Sequence, residues 1–275
     1  MKKHLAIILS CSLIILLVGA LFSFNYSKDV ENAYAVELYV PTDTMENIYT
    51  EYYNYGYYDG ANPIPGYYPI SDLDDLNYFN NLVQTPADLK DCVFYLTSDL
   101  DLTGITHTPI GDGNYFEGVF DGCGYSIRNF SITETTRSIY GLFHGISEDG
   151  IIKNLNIDNA NLTQKFNGGK MGAIAGFNDG LIEKCSVTNS TVASLRSGSI
   201  GAIVGDNEYG RINYSYAVSV NIDGLYASGI SRYGYIDNCF TFDIQEAGTY
   251  SSTYFYYVGG SDYITNSYYY SDCAT

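Results

Sequence analysis

The chain has 275 residues, with 31 Asp and Glu against 13 Lys and Arg, and a formal net charge of −18 at pH 7. So acidic a surface repels a phosphate backbone, which argues against nucleic acid as a partner. The 30 Tyr, 28 Gly and only 6 Pro indicate many tight turns without polyproline character.

Residues 1–35 have the pattern of a secretory signal. A basic start is followed by an apolar run from Leu5 to Phe24, and Ala33 and Ala35 offer small residues at the cleavage positions. The run is also long enough to span a bilayer, so an uncleaved N-terminal anchor is the alternative. Both interpretations predict an extracytoplasmic protein that is either secreted or held at the cell surface.

The next two segments are predicted to be a linker and a cap. Residues 36–69 are rich in Tyr and of low complexity, which is typical of a linker. In the cap, residues 70–92, Ser71 is a candidate N-cap and acidic residues occupy the first turn. Apolar residues follow at near-helical spacing: Leu73, Leu76, Phe79 and Val83. We expect a short amphipathic helix that covers strand edges at the N-terminal opening of the following domain.

Residues 93–275 contain an internal repeat. Six segments begin with Ile at steps of 24–30 residues, and Asn is the third residue in four of them. A period of this length without a helical pattern predicts one coil of a β-solenoid per repeat, and about six coils in all. We expect the six isoleucines to stack in one internal column: Ile127, Ile152, Ile182, Ile212, Ile236 and Ile264.

Asn and Gly are predicted to shape the corners of each coil. Asn tolerates left-handed backbone and so suits the four corner positions Asn129, Asn154, Asn238 and Asn266. Pairs of glycines before the isoleucines are expected where φ must be positive; these are Gly145 and Gly150, Gly176 and Gly180, Gly205 and Gly210, Gly229 and Gly234. Calcium binding by the turns "FNDG" and "DNEYG" is the alternative, but these turns lack the nine-residue acidic repeat of calcium-binding β-rolls.

Several segments in serial order resemble the GLUG-motif proteins. They are "YLTSDLDLTG" from Tyr95, "PIG" from Pro109, "FEGVFDGCGYSIRNFSI" from Phe116, "GLFHGI" from Gly141 and "GxxxGxNxGxIxxC" from Gly172. The resemblance covers about residues 70–270 and implies a bacterial extracytoplasmic protein with a right-handed parallel β-helix, similar to filamentous-haemagglutinin-like surface proteins. It implies no ligand. The chain departs from the pattern where the last two coils become rich in Tyr.

Candidates for chemistry are few. Asp99, Asp101 and Asp121 are the best carboxylates for paired acid–base work, but they lie in the repeat's own strand ends and turns. One of the three histidines lies in the signal, and His107 and His144 form no metal or triad pattern. We therefore predict no catalytic, metal-binding or cofactor-binding residue, no cofactor and no enzymatic activity; the ligand-binding residues stay unknown.

Five cysteines follow the signal, in no C-x-x-C spacing. Cys185 and Cys239 share a column that Ser215 occupies in the coil between them. Two coils place their Cα atoms about 9–10 Å apart, beyond the span of a disulfide. We therefore predict no Cys185–Cys239 bond, and leave a Cys92–Cys123 bond open.

Two function classes remain. The first is a non-enzymatic surface or secreted β-helix protein for adhesion or contact with host or matrix glycans or proteins. The second is a carbohydrate-binding or polysaccharide-degrading β-helix that uses exposed Tyr to contact sugars. The first is preferred. Contact with a membrane is expected only if the N-terminal segment is not cleaved.

Overall fold

The computed structural model describes residues 66–85, 88–134, 138–165, 167–194, 197–246, 254–260 and 263–270. These residues belong to one compact unit, Pro41–Thr275. The predicted signal and most of the predicted linker lie outside the described residues. No helix within the described ranges combines the length and apolar character needed to cross a membrane.

The described strands form a parallel β-solenoid of about six turns. Every pairing among these strands is parallel, and each complete coil contributes one strand to each of five stacks. One complete coil consists of the strands Ile151–Lys153, Asn156–Asp158, Asn161–Gln164, Gly169–Met171 and Ala175–Asn178, which belong to stacks 1 to 5 in that order. Such stacking satisfies the backbone hydrogen bonds of each coil through its neighbours.

The strands of stack 1 are Gly66–Ile70, Cys92–Leu96, Val119–Asp121, Ile151–Lys153, Leu181–Glu183, Arg211–Asn213, Tyr235–Asp237 and Ile264–Thr265. Stacks 2 and 3 share one ten-stranded sheet. Stack 2 contains Leu100–Asp101, Ser126–Arg128, Asn156–Asp158, Ser186–Thr188 and Tyr268–Tyr270, and stack 3 contains Ser131–Glu134, Asn161–Gln164 and Thr191–Ser194. Two longer strands run through both stacks: Tyr216–Asp223 and Phe240–Glu246.

Stacks 4 and 5 complete each coil. Stack 4 contains Ile139–Tyr140, Gly169–Met171, Gly198–Gly201, Tyr226–Ser228 and Tyr254–Tyr256. Stack 5 contains Ile110–Phe116, Phe143–Ile146, Ala175–Asn178 and Val204–Asp206. The strand Gly66–Ile70 of stack 1 begins inside the segment that the sequence assigned to the linker, so the pairing of coils starts earlier than predicted.

The predicted helix is α1, Leu73–Gln84. Its N-cap is Asp72 and not the predicted Ser71, because the Asp72 side chain accepts from the backbone N–H groups of Asp74 and Asp75, both at 3.0 Å. Ser71 donates instead from its backbone N–H and its hydroxyl to the Asp75 carboxylate, at 2.8 and 2.7 Å. The two contacts together resemble a capping box.

The helix packs where the stacks begin, as the sequence predicted. Phe79 is buried, and its ring centroid lies 4.4–6.1 Å from those of four other rings: Phe94, Phe116, Phe120 and Phe143. The side-chain Oδ1 of Asn80 accepts from the backbone N–H of Gly111 in the edge strand of stack 5, at 3.1 Å. The helix therefore covers this edge strand and the first apolar residues of the core.

Five of the six isoleucines stack in one column, which is buried from Ile152 to Ile236 and partly buried at Ile264, and Ile127 lies outside it. Ile152, Ile182, Ile212, Ile236 and Ile264 are in direct register in stack 1. Phe120 precedes Ile152 in that column, whereas Ile127 pairs with Ile157 in stack 2. The prediction was wrong here because Ile-x-Asn also occurs at the corner between stacks 2 and 3, so the motif alone does not distinguish the two corners.

The four predicted corner asparagines all have left-handed backbone. Their φ angles are 62° for Asn129, 51° for Asn154, 52° for Asn238 and 46° for Asn266. Asn129 belongs to the corner between stacks 2 and 3, where Asn159 donates from Nδ2 to its Oδ1 at 2.7 Å. The side chains therefore also link neighbouring coils along the stack.

The paired glycines serve mainly close approach, which corrects the prediction of positive φ. Of the eight glycines named, Gly234 alone has positive φ, at 83°. A Cβ atom at Gly176 would fall against the backbone nitrogen of Tyr140, and one at Gly205 against that of Met171. Glycine therefore allows stacks 4 and 5 to approach each other across the core.

The cysteine prediction agrees with the register of the coils. Cys92, Cys123, Cys185 and Cys239 are free thiols, so the Cys92–Cys123 bond that the sequence left open is not formed. The Ser215 hydroxyl accepts from the backbone N–H of Cys185 at 3.1 Å, and Ser215 lies in the coil between Cys185 and Cys239.

Candidate functional site

Two of the three candidate carboxylates hold neighbouring coils together. Asp99 accepts from the backbone N–H of Ser126 at 2.8 Å and forms an ion pair with Arg128. Asp101 accepts from the Thr103 hydroxyl and backbone N–H, and from Asn129 Nδ2 at 2.8 Å. The Thr103 hydroxyl, followed by Asn129, lowers the pKa of Asp101 below its usual range. Both carboxylates therefore have turn and strand-end partners.

Asp121 is fully buried. It accepts from the backbone N–H of Cys123 at 2.8 Å and from Asn154 Nδ2 at 3.0 Å, and Lys153 Nζ lies 3.5 Å from its other oxygen. These contacts fix the left-handed turn at Cys123 against the next coil. They give this carboxylate a structural role, and they involve neither Asp99 nor Asp101.

The two described histidines, His107 and His144, both lie in the first coils and have different surroundings. His107 is partly buried, and Nε2 lies 3.0 Å from the carbonyl oxygen of Leu142, which can only accept, so Nε2 carries the proton. Burial lowers the pKa of His107. His144 occupies the register position of Gly176 and Gly205, and it fits because stack 4 begins only at Ile139–Tyr140 and leaves no strand beneath it.

No group of three or more His, Cys, Asp and Glu residues within the described ranges is arranged to hold a metal ion. In the two turns considered for calcium, Asn178 and Asn207 use their amides on the coil itself. Asn178 Nδ2 donates to Asn207 Oδ1 at 2.6 Å, and Asn207 Nδ2 donates to the Gly210 carbonyl at 3.1 Å. These amides therefore connect the corners of successive coils.

The candidate site is a set of five aromatic side chains and one valine on the outer surface of stack 2, here called the aromatic face. It has two columns in direct register across the last three coils. The first column is Tyr216, Phe240 and Tyr268, and the second is Val218, Phe242 and Tyr270.

The same outward positions are polar in the preceding coils of stack 2. The first column continues back through Ser186, Asn156 and Ser126, and the second through Thr188, Asp158 and Arg128. The inward residue of each strand stays small or apolar up to Ala217. The change at Tyr216 therefore affects the surface and not the core.

The rings of the aromatic face are nearly parallel. The centroids of Tyr216 and Phe240 are 4.9 Å apart with planes at 8°, and those of Phe242 and Tyr270 are 5.3 Å apart at 14°. Tyr268 is 70% exposed and Tyr270 is 45% exposed. Offset parallel stacking of this kind adds about 0.5–1.5 kcal/mol per pair.

Aromatic residues also occupy outward positions of stacks 1 and 4 in these coils. In stack 1 the Arg211 guanidinium lies 5.6 Å from the ring centroid of Tyr235, which packs on Tyr263 at 4.7 Å. In stack 4 Tyr226 stacks on Tyr254 at 5.4 Å. On the other side of Tyr226, the guanidinium of Arg232 lies 4.0 Å from its ring centroid.

Sequence reasoning noted the many tyrosines but did not place them. The signal was present, because an aromatic residue stands four positions after the column isoleucine in each of the last three coils: Tyr216 after Ile212, Phe240 after Ile236 and Tyr268 after Ile264. In a strand that follows a corner, only the structure shows that this position points outward.

No protein-family model matches the chain. Halomucin of Haloquadratum walsbyi is 30% identical over 167 residues, which are 56% of this chain and 2% of halomucin. A protein of Evansella cellulosilytica, provisionally named a Gly-rich membrane protein, is 39% identical over 101 residues, 34% of this chain and 12% of that protein. The chain thus spans a small part of the length of either relative.

A crystal structure from Bacteroides ovatus, provisionally titled an immunoglobulin A1 protease, matches with a TM-score of 0.40 and 14% identity, over 72% of this chain and 84% of that chain. The prediction that this chain is not an enzyme is corrected: the structural neighbour carries a protease title, which is contrary to that prediction. At this TM-score the match supports no protease mechanism and no assignment of catalytic residues.

Proposed function

We propose that the chain is an extracytoplasmic protein, secreted or held at the cell surface, whose β-solenoid mediates adhesion to host or matrix glycans or proteins. The signal-like pattern of residues 1–35 and the GLUG-like segments support the compartment. The membrane-protein name of one relative is consistent with it. Fractionation of the producing cells, with N-terminal sequencing of the exported chain, tests the compartment; a cytoplasmic chain with residues 1–35 intact would contradict it.

The observation that carries the adhesive role is the change from polar to aromatic side chains at Tyr216 on one continuous stack. The preceding coils pair in the same register with Ser, Asn and Thr at these positions, so pairing of the coils does not require aromatic side chains there. Tyr combines a large apolar face with a polar tip and is enriched where proteins bind partners. Exposed aromatic surface that the fold does not need marks a contact site.

The test compares two double variants of the purified full-length chain on immobilised matrix proteins and a glycan array. Tyr235→Ser with Tyr268→Ser removes rings that are 45% and 70% exposed on the last coils. Tyr78→Ser with Tyr209→Ser removes rings that are 44% and 70% exposed elsewhere, as the matched control. We expect at least a tenfold loss of binding in the first variant alone. Equal binding by both variants, or no binding by the unaltered chain, would overturn the proposal.

A further inference from the structure

We infer that the aromatic face binds a neutral polysaccharide, with the sugar chain lying along the two columns. The inference rests on the proposed adhesive function and names the chemical class of its ligand. It comes from three observations: the partly uncovered ring faces, the repetition of the aromatic contact along the last three coils, and the distribution of charge and amide groups around the rings.

The ring faces are partly uncovered. Carbon atoms of stacked rings approach to about 3.5 Å, yet the centroids of Tyr216 and Phe240 are 4.9 Å apart with nearly parallel planes. The rings must therefore be displaced sideways by about 3 Å relative to each other, as in offset stacking. Part of each ring extends past its neighbour, and this apolar surface suits the C–H face of a sugar.

The contacts repeat along the stack. The first column presents three rings in register, Tyr216, Phe240 and Tyr268, and the second presents Phe242 and Tyr270 beside the last two. Successive coils are spaced about 4.8 Å apart. A regular array of equivalent contacts suits a polymer of identical units, whereas the surface of a folded protein partner is irregular. This is the reason for preferring a polysaccharide to a protein.

Charge decides between neutral and anionic polysaccharides. The six positions of the aromatic face carry no charge, in a chain of net charge −18. The nearby Asp237 is bound by the hydroxyl of Thr265 at 2.6 Å and by Asn266 Nδ2 at 3.0 Å. Arg211 lies over the ring of Tyr235 and offers one local cation. An anionic polysaccharide would meet net repulsion, so a neutral one is favoured.

Amide groups border the rings on both sides, and some of them already donate to neighbouring carboxylates. Asn238 and Asn266 occupy the corner between stacks 1 and 2, and Asn221 points outward from stack 3 in register with Gln245. Amides can donate to and accept from sugar hydroxyls. The rings and the amides together therefore suit the C–H faces and the hydroxyl groups of a sugar chain.

The test is affinity gel electrophoresis of the full-length chain in gels containing hydroxyethylcellulose, xyloglucan, mannan or polygalacturonate. We expect retardation by at least one of the three neutral polymers and none by polygalacturonate. Tyr268→Ser with Tyr270→Ser should weaken that retardation at least tenfold, while Tyr78→Ser with Tyr209→Ser should leave it unchanged. Circular dichroism and thermal melting establish that both variants fold like the unaltered chain.

Each other outcome counts against the inference. Mobility unchanged by all three neutral polymers, equal loss in both double variants, or retardation by polygalacturonate alone would overturn it. Binding to an immobilised matrix protein that Tyr268→Ser with Tyr270→Ser abolishes, without retardation by any neutral polymer, would overturn the polysaccharide ligand and leave the adhesive function standing.

Discussion

At the scale of single residues, the position of a side chain relative to the coil decides its effect on stability. Ile182 is fully buried in the isoleucine column, whereas its neighbour Leu181 points outward on the same strand. We expect Ile182→Asp to destabilise the protein by about 4 kcal/mol or more, because it buries an unpaired charge. Leu181→Asp should cost about 1 kcal/mol or less. Urea unfolding of both variants measures the difference; similar losses would contradict the assigned faces.

His107 should make stability depend on pH. Burial lowers its pKa in the folded state, so the folded protein takes up a proton at this ring less readily than the unfolded chain does below about pH 6.5. The free energy of unfolding should therefore fall as the pH drops below about 6.5, by at most about 1.4 kcal/mol per pH unit from this group. His107→Gln keeps a donor toward the Leu142 carbonyl and removes the titration.

The measurement is thermal or urea unfolding of both proteins at pH 8 and pH 5.5. The unaltered chain should lose more stability than His107→Gln between the two values. An identical loss in both would show that His107 is protonated to the same extent in the folded and unfolded states.

At the scale of elements, the close approach of stacks 4 and 5 explains glycines such as Gly176, whose φ is not positive and which no turn requires. Gly176→Ala would place a methyl group against the backbone of Tyr140, so we expect a loss of about 1–3 kcal/mol or more from overpacking. The comparison is Gly124→Ala, where φ is 81° and no atom lies within 4 Å, and where about 1–2 kcal/mol is expected from backbone strain alone. Chemical denaturation compares the two; a smaller loss at Gly176 would argue against the close approach.

The arrangement of the first coils follows from the same packing. Helix α1 closes the start of the core with Phe79. No described residue before Ile139–Tyr140 forms a strand of stack 4, which leaves room for the His144 side chain where later coils have glycine. The histidine at position 144, where the later repeats have glycine, is thus explained by the missing stack 4 strand in the preceding described coil.

At the scale of the described β-solenoid, the buried thiols should report on unfolding of the whole coil stack. Cys185 and Cys239 are buried, and burial raises the pKa of each to about 12. The thiolate is the reactive form, so alkylation of the folded protein at pH 8 should be very slow. We expect both to be labelled by iodoacetamide only at urea concentrations that unfold the solenoid.

Peptide mapping by mass spectrometry checks this, and the non-reduced protein gives the control. The unaltered monomer should yield separate peptides containing Cys185 and Cys239. A cross-linked pair, or full labelling without urea, would contradict the two-coil separation and the burial of this column.

The sequence by itself determined the class of fold. The pattern consists of a recurrent isoleucine, asparagines suited to left-handed corners and steps of 24–30 residues. It predicts stacked coils, because a short strand cannot bury its apolar side alone. The capping helix was predictable for the same reason, since its apolar spacing needs a partner surface. The roles of Asp99 and Asp101 at strand ends also followed from the sequence.

The tertiary structure decided the register, and with it the candidate site. Ile127 and Ile152 carry the same local motif, but five strands and several corners of similar composition make up each coil, so only the pairing of backbones shows which corner a motif occupies. The outward direction of Tyr216, Phe240 and Tyr268 depends on that register. Side chains of a strand alternate between core and solvent, so a shift of one residue reverses which of them point outward. The composition therefore gives the number of tyrosines, whereas the pairing of the coils shows which of them share one face.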